Sequence, residues 1–505
     1  MFRLLDSFLD SITMYRLTLY VLIGLVSGAV VFSFFGILSY SPTGILITCL
    51  VLIGSMWIAN KLFAFFLKVP TNVESVYISA LILSLILSPA KSTQEMLLII
   101  VIGFLAVLSK FLLSIRKKHI FNPAAIALVI SGFFLHYYAS WWIGTAIMLP
   151  LVIIGGFLIV KKLQKTILVV YFLLGVCAVT AMFAQISGIS IASSLYSLFF
   201  DSAIVFFATI MLTEPLTAPP TKKLQIMYGA LVVFLIDPHA HVGSIYSTPE
   251  LTLAVANIFS YIVSPKQKLI LKLKEKIHIG MDQIDFVFTS PEKIIFTPGQ
   301  YMEWTLQHPH TDSRGNRRYF SLASSPTEDT IRLGVKFYSR GSSYKKALHA
   351  FSDHEIIVAG SLAGDFTLPK DTKKKLVFIA GGIGITPFRS MTKYLIDRGE
   401  KRDIVLLYSN KIESEIMYED IFAMGRSIGV TAVYTLTDID NLPPHWKGET
   451  GRISTDMIKN KIPDFKNREF YLSGPHDMVT RFEETLQQMG IHQSQIKKDF
   501  FPGFV

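Results

Sequence analysis

Long apolar runs fill the first half of the chain, and short runs that alternate with charge replace them after Pro265. A helix needs ~20 apolar residues to cross a bilayer. About ten segments approach that pattern: 14–38, 43–65, 75–90, 95–114, 121–138, 141–160, 166–187, 196–213, 224–237 and 250–263. They predict a polytopic α-helical membrane domain over residues 1–265. Lys266 to Lys276 then alternates apolar and charged positions, the period of a strand. Further strands are expected at 284–288, 301–306, 319–323 and 331–337, with turn residues between them, which predicts an antiparallel β-barrel over 266–370. From 371 to 505 the strands near 376–380, 404–408, 431–435 and 468–472 alternate with helix-like stretches. That order predicts an α/β doubly wound domain on a parallel sheet.

Charge sharpens the first prediction. A net charge of +11 in a soluble protein would suggest nucleic acid. Here the positives collect at the ends of apolar segments, and no stretch interleaves basic and aromatic residues on a surface, so no nucleic-acid partner is expected. Arg3 and Arg16, Lys61 and Lys68, Arg116 to Lys118, Lys161 with Lys162 and Lys165, Lys222 with Lys223, and Lys266 with Lys268 all fall on one side of a ten-pass topology. Only Lys91 lies opposite. Positive charge marks the cytoplasmic side, so a multi-pass protein of the cytoplasmic (inner) membrane is expected, both ends inside and the part after residue 266 in the cytoplasm. The first run is long enough to be kept as a helix, unlike a signal peptide.

Metal chemistry finds little support. Cys49 and Cys177 lie within apolar runs, and without a CxxC pair they cannot hold an iron–sulfur cluster or zinc. His119 and His136 sit at opposite ends of one segment and His239 and His241 in a loop, so no stacked pairs for haem appear. No metal is expected.

Two polar motifs interrupt the apolar half: Phe121-Asn-Pro-Ala-Ala125, and Thr213-Glu-Pro-Leu-Thr-Ala-Pro-Pro-Thr221. Asn122 and Glu214 fall on the same, inner side of the topology and could approach one another, and a polar group at membrane depth defaults to a functional hypothesis. The alternative is a helix cap and a turn. With Ala254-Val-Ala-Asn-Ile258 these motifs resemble the membrane subunit family shared by the D subunit of Rnf complexes and the B subunit of the sodium-pumping NADH:quinone reductase, over roughly Ser79 to Lys266. That resemblance implies a flavin mononucleotide esterified to a threonine about ten residues before the T-[DE]-P turn. This chain reads Asp201-Ser-Ala-Ile204 there, and Ile204 has no hydroxyl. FMN in the membrane domain remains possible, without covalent attachment.

The most informative stretch of the second half is Leu376-Val-Phe-Ile-Ala-Gly-Gly-Ile-Gly-Ile-Thr-Pro387. A strand runs into a glycine turn and then a helix start with proline in its first turn. Free N–H groups and a positive dipole end there suit a phosphate, and glycines let the backbone approach it. Arg318-Tyr-Phe-Ser321 places a cation and a ring on one strand face. Gly341-Ser-Ser-Tyr344 offers a second anion cradle at a helix start.

These motifs, followed by Leu472-Ser-Gly-Pro475, occur in the order found in the ferredoxin–NADP reductase family, which residues 267–505 resemble. The resemblance implies FAD contacts from Arg318, Tyr319, Phe320, Ser321, Gly341, Ser342 and Ser343. It implies NAD(P)H contacts from Gly381, Gly382, Gly384, Thr386, Gly474 and Pro475. Ser321 and Ser473 would serve at the reacting rings, Ser473 standing where many members carry cysteine. Phe501, in the terminal Phe500-Phe-Pro-Gly-Phe-Val505, would cover the flavin as terminal aromatics do in the family. After the second strand of that domain, Asn410 suits a ribose hydroxyl and Lys411 a 2′-phosphate, with NADH favoured as donor over NADPH. The whole then reads as an FAD-dependent NAD(P)H oxidoreductase passing electrons to an acceptor in or at the membrane, quinone or membrane flavin. A redox-driven ion transporter and a reductase merely anchored by its helices are the rival readings, and other subunits are not identified.

Overall fold

The computed structural model describes residues 5, 8–9, 12–67, 73–115, 118–237, 241–264, 269–280, 282–309, 311–312, 314–338, 341–352 and 355–499. The chain divides into two units, Ile12–Lys266 and, for the most part, Gln267–Val505.

The first unit is helical. In chain order it contains α1 (Met14–Phe34), α2 (Pro42–Leu67), α3 (Val73–Ile86), α4 (Thr93–Leu112), α5 (Pro123–Ile130), α6 (Leu149–Leu163), α7 (Thr166–Ile186), α8 (Ile191–Phe200), α9 (Ile204–Phe206), α10 (Lys222–Leu235) and α11 (Pro249–Val263). Each of the ten apolar segments carries helix. Among the described residues four helices (α1, α2, α4 and α7) are long and apolar enough to cross a membrane. The pair α8 and Ile204–Met211, bent by 62°, makes a fifth if counted as one span. Val73–Ile86, Pro123–Leu135 and Pro249–Val263 are shorter apolar helices. Residues 136–148 are rich in Tyr, Trp and Ile, yet they run as loop and turns, with His136 and Trp141 at positive φ. Two helices also end in wide turns with π hydrogen bonding, at Ser131–Leu135 and Phe207–Met211. Such turns leave carbonyls that side chains must satisfy, and they recur at functional sites.

The second unit holds two sheets. The first is antiparallel and six-stranded: β1 (Leu269–Ile279), β2 (Gln283–Thr289), β3 (Tyr301–Thr305), β4 (Arg317–Ser321), β5 (Thr330–Lys336) and β6 (Ile356–Ala363), in the order β4-β3-β6-β1-β2-β5. Phe286, Phe288, Trp304, Leu333 and Tyr344 fill its interior, and α12 (Ser343–Ala350) contributes Tyr344 and Leu348 to that core. β6 lies between β3 and β1, so the sheet is completed by a strand that sequence patterning did not single out.

The second sheet is parallel: β7 (Leu376–Gly381), β8 (Ile404–Asn410), β9 (Val430–Leu436), β10 (Glu449–Thr450), β11 (Glu469–Ser473) and β12 (Ile496–Asp499), in the order β10-β9-β8-β7-β11-β12. Every residue of β7 is buried, as a central parallel strand covered on both faces requires. α13 (Thr386–Arg398) and α14 (Glu419–Gly425) pack Phe388, Met391 and Phe422 on one face. α15 (Thr455–Lys461) and α16 (His476–Gln488) pack Ile458, Val479 and Leu486 on the other. Strand order reverses between β7 and β11, and a crevice at that switch point is where such sheets take ligands.

Candidate functional site

At the switch point two turns interlock. A Cβ on Gly384 would lie 2.4 Å from the Ser473 carbonyl oxygen and 2.6 Å from the Gly474 Cα. One on Gly381 would meet Met478 Sδ at 2.3 Å, and one on Gly474 would come within 3.3 Å of the Gly381 backbone. Gly382 adopts φ +52°, the left-handed region that glycine enters at little cost. Thr386 opens α13 and donates its hydroxyl to the Ile383 carbonyl at 3.3 Å, and Pro387 follows in the first turn. Pro475 precedes the first residue of α16. The backbone is therefore bare where two helix starts converge, the arrangement that receives a dinucleotide's phosphates.

The barrel supplies a cationic cluster. Arg318 is buried on β4; its Nη1 donates to the carbonyls of Arg314 (2.8 Å) and Arg317 (2.6 Å), and its guanidinium lies 5.0 Å from the Tyr344 ring centre. Phe320 faces the same ring at 6.3 Å, whereas Tyr319 turns to the opposite side and donates to Glu303 at 2.8 Å. Ser342 caps α12 through Lys345 N–H, next to Gly341 in the same tight turn. Ser343 receives the backbone N–H of Asp312 at 2.9 Å on its hydroxyl, which also lies 3.0 Å from His308 Nε2. Its own backbone N–H donates to the Asp312 carboxylate at 2.9 Å, and Arg314 Nη2 donates to the same oxygen at 2.8 Å. Burial alone would raise the Asp312 pKa, but these donors hold it down to about 2. Burial, together with Arg318 and Arg314, brings the Lys345 ammonium down to about 8. Burial likewise draws the Arg318 guanidinium down to about 10. Arg314 and a helix start thus hold the Asp312 carboxylate, with Arg318 and Lys345 close by, an arrangement that suits a diphosphate. Asp312, Arg314, Lys345 and His308 were not singled out from sequence; the charged stretch Thr311-Asp-Ser-Arg-Gly-Asn-Arg-Arg318 was the available signal.

Ser321 and Ser473 meet around a residue that sequence reasoning missed. Ser321 donates to Asp499 Oδ2 at 2.7 Å. Asp499 ends β12, directly beside Ser473 in the parallel register with β11. Burial pushes the Asp499 carboxyl up to about 7, against the opposing hydrogen bond from Ser321. A buried acid four positions into a strand, just before the aromatic terminus, was the overlooked cue. Phe501 lies outside the described residues.

Residues 378–484 match the family model described as an oxidoreductase NAD-binding domain. The chain is 27% identical over 246 residues to a flavohemoprotein of Oceanobacillus iheyensis, covering 46% of this chain and 58% of that protein. It is also 27% identical over 223 residues to the stachydrine N-demethylase reductase subunit of Rhizobium meliloti, covering 43% and 62% respectively. The C-terminal unit is a ferredoxin–NADP reductase-type FAD/NAD-binding module. The chain spans a little over half the length of the curated relatives it matches. Among solved structures, the cytochrome b5 reductase domain of Ulva prolifera nitrate reductase aligns at 23% identity and a TM-score of 0.41, over 47% of this chain and 98% of that one.

The residues of the reductase module fit both groups. A Cβ on Gly381, Gly384 or Gly474 would meet protein atoms within 3.0 Å, so these glycines let the two turns pack closely, while Gly382 faces open space where a phosphate could approach its backbone. At the barrel the Asp312 carboxylate occupies a helix start among cations, in the manner of a phosphate oxygen. Asn410 is buried at the end of β8, next to Lys411.

The helical unit has its own polar cluster. Asn122 caps α5, accepting from Ala125 N–H at 3.0 Å, and its backbone N–H donates to Asn257 Oδ1 at 2.8 Å. Asn122 Nδ2 donates to Glu214 at 2.9 Å, Thr217 Oγ1 donates to the same oxygen at 2.8 Å, and Asn257 Nδ2 donates to the Tyr228 hydroxyl at 3.2 Å. Asn122 and Glu214 therefore meet, and they meet with Asn257 of the Ala254-Val-Ala-Asn-Ile258 segment. Within α4, Lys110 Nζ donates to Ser75 Oγ at 3.0 Å and Ser79 Oγ at 3.2 Å. Its position inside an apolar run hid it from the charge-cluster reading.

Proposed function

We propose that this chain is a membrane-bound flavoprotein oxidoreductase that takes electrons from NAD(P)H through FAD and delivers them to an acceptor in or at the bilayer, a quinone or a membrane flavin. The observation that carries the reading is one polypeptide joining a ferredoxin–NADP reductase-type module to a unit with four spanning-length helices. The proposed domains are residues 1–265 in the bilayer, 266–370 for FAD and 371–505 for the nicotinamide nucleotide. The charge bias of the loops supports a cytoplasmic module at the inner membrane.

FAD, when bound, supplies a ring system that takes two electrons together and releases them singly. Arg318, Ser342, Ser343 and Gly341 would hold its pyrophosphate, with Arg314 and Lys345, while Phe320 and Tyr319 border its other parts and Phe501 its ring. Gly381, Gly382, Gly384, Thr386, Gly474 and Pro475 would take the nicotinamide nucleotide. Ser321 holds a proton toward Asp499, and Ser473 is the register partner of that acid on the neighbouring strand. Asn410 favours NADH.

For the helical unit, similarity to the Rnf D and sodium-pump B subunits is supported by the three quoted segments converging on Asn122, Glu214 and Asn257. Ile204 is 6% exposed and lacks a hydroxyl, so a flavin phosphoester at that position is not expected. Lys110 within α4 favours, as a second reading, a unit whose electron transfer is coupled to ion movement.

One experiment separates these readings from an inert anchor. Glu214→Gln in the full-length protein should leave NADH–ferricyanide activity unchanged and lower quinone reduction about tenfold, the scale of one buried charged hydrogen bond. Equal rates with both acceptors would leave the helices as an anchor. Acid extraction should release FAD and leave no flavin on the denatured band.

A further inference from the structure

The barrel and the parallel sheet touch along β5 and the start of α13. Gly334 sits in the middle of β5, and a Cβ there would lie 2.8 Å from Thr386 Cγ2, 3.1 Å from Tyr418 Oη and 3.2 Å from Ile383 Cδ1. The nucleotide turn therefore rests on bare barrel backbone. Directly across the ladder from Gly334 is Asp285, which is 1% exposed and receives Arg332 Nη1 at 2.7 Å. Three residues into α13, Arg389 is 3% exposed and grips Glu328 with both Nη atoms, Nη2 reaching Oε1 at 2.8 Å. Arg389 Nη1 also donates to the Ala323 carbonyl at 3.0 Å, and Ser390 Oγ donates to the Ser324 carbonyl at 2.6 Å. Ala323 and Ser324 follow the strand that carries Arg318 to Ser321. Glu328 in turn receives Ser325 N–H at 2.6 Å. The Arg389 guanidinium lies 5.5 Å from the Tyr418 ring centre, and Tyr418 itself is held at φ +61°.

A buried ion pair is a weak source of net stability, because desolvation offsets its attraction. A bidentate arginine–carboxylate pair is, however, a strong constraint on orientation. The pair ties the helix that follows the nucleotide turn to the turn that follows the flavin strand, and misplacement of the two rings by about 1 Å can cost on the order of 100-fold in rate. We propose that Arg389, Glu328 and Gly334 are positioning residues that fix the nucleotide turn against the flavin strand. The proposal rests on the reductase reading, and it assigns to these three residues the relative placement of the two half-sites, not the binding of either cofactor.

The test uses the full-length protein in detergent with Cys49→Ser and Cys177→Ala. Spin labels go on Ile356→Cys in the barrel and Met424→Cys in the sheet domain, both more than half exposed. Arg389→Lys, Glu328→Gln and Gly334→Ala should keep their FAD, broaden the interlabel distance distribution or, for Gly334→Ala, shift it, and slow flavin reduction by NADH about 10- to 100-fold. The Kd for NADH should stay within about threefold, and the deuterium isotope effect with 4-deuterated NADH should become more temperature-dependent. Unchanged distances and rates in Arg389→Lys and Glu328→Gln overturn the proposal. If Gly334→Ala fails to fold, Glu328→Gln, which keeps the side-chain shape, decides alone. If the parent protein binds FAD but is not reduced by NADH, the reductase reading falls, while the distance measurement still reports on the clamp.

Discussion

Both units bury polar groups where regular backbone stops, but they balance them differently. At the barrel, Arg314, Arg318 and Lys345 gather around one carboxylate, and a bare glycine cradle faces the crevice of the neighbouring sheet. In the helical unit, Asn122, Glu214, Thr217, Asn257 and Tyr228 form a chain in which each named donor meets an acceptor within the protein. The first arrangement gathers several cations beside a helix start. The second closes on itself, and ties the start of α5 to the middles of α10 and α11. A cluster that is short of anions is built for a ligand; a cluster that is complete is built to keep helices in place or to respond when one member changes protonation.

The sharpest way to break this contrast is to force the two interlocked turns apart. Gly384→Ala places a methyl 2.4 Å from the Ser473 carbonyl, and backbone cannot yield as a flexible side chain would. Flavin reduction by NADH in a stopped-flow experiment should fall by about 100-fold or more, with FAD absorbance retained. A milder loss would mean that the two turns are not the nucleotide seat.

The cationic side comes next. Arg318→Ala removes a buried charge-assisted donor, worth ~1.5–3 kcal/mol, so FAD affinity should drop by about 10- to 150-fold. Equilibrium dialysis of the stripped protein measures it. If FAD binds as before, the cation excess at Arg318 serves the fold alone.

Much of the fold could be read from pattern. β7 is a run of six buried residues ending in glycines, and both its strand and its turn stand where the periodicity put them. β1 alternates over its first residues, from Leu269 within the described residues, and β2 and β5 stand where strands were expected, although six successive residues of β2 are buried. β6 was not legible, because Ile356-Ile-Val-Ala-Gly-Ser-Leu-Ala363 shows no alternation of apolar and polar residues, although it pairs on both edges. β12 is four residues long with two lysines, so Asp499 looked like solvent-exposed charge. Helix ends were less legible, because hydropathy records what a residue prefers to touch, not whether its N–H is bonded within a helix. Residues 136–148 are apolar and irregular, with Trp141 Nε1 donating to Glu250 at 3.0 Å and Trp142 Nε1 to the Leu87 carbonyl at 2.9 Å. Motif order pointed to the candidate site residues, but the acids that touch them, Asp499 and Asp312, come from distant sequence and needed the fold.

Asp499 gives a test that depends on pH. Its carboxyl is pushed up to about 7 by burial, whereas an unfolded aspartate titrates near 4. Between those values the folded state keeps a proton that the unfolded chain has released, so this group lowers stability progressively as pH rises from about 4 to about 7. Above that window the penalty is complete. Asp499→Asn should therefore melt close to the parent at pH 4.5 and clearly higher at pH 8, followed by flavin release. Its flavin reduction rate should fall about tenfold, because Ser321 loses an acceptor that can take its proton. A constant melting difference across pH would mean that Asp499 is not buried as a neutral acid.

The smallest effect should come from Asp312, and it has the opposite sign. Its carboxylate accepts from Ser343 N–H and from Arg314, the donors that an anionic guest would also use. With its pKa held down to about 2, it stays charged throughout the working range, so it competes with the guest and repels it at every accessible pH. Asp312→Asn keeps an oxygen for Arg314 and removes the charge. FAD affinity should then rise about threefold, with the gain shrinking as salt screens the cluster over a Debye length of ~10 Å at 0.1 M. Dialysis at low and high ionic strength measures both. A loss of affinity instead would make Asp312 a brace that orders Arg314 and Ser343 for the ligand, and would place the barrel cluster closer in kind to the self-contained chain around Glu214.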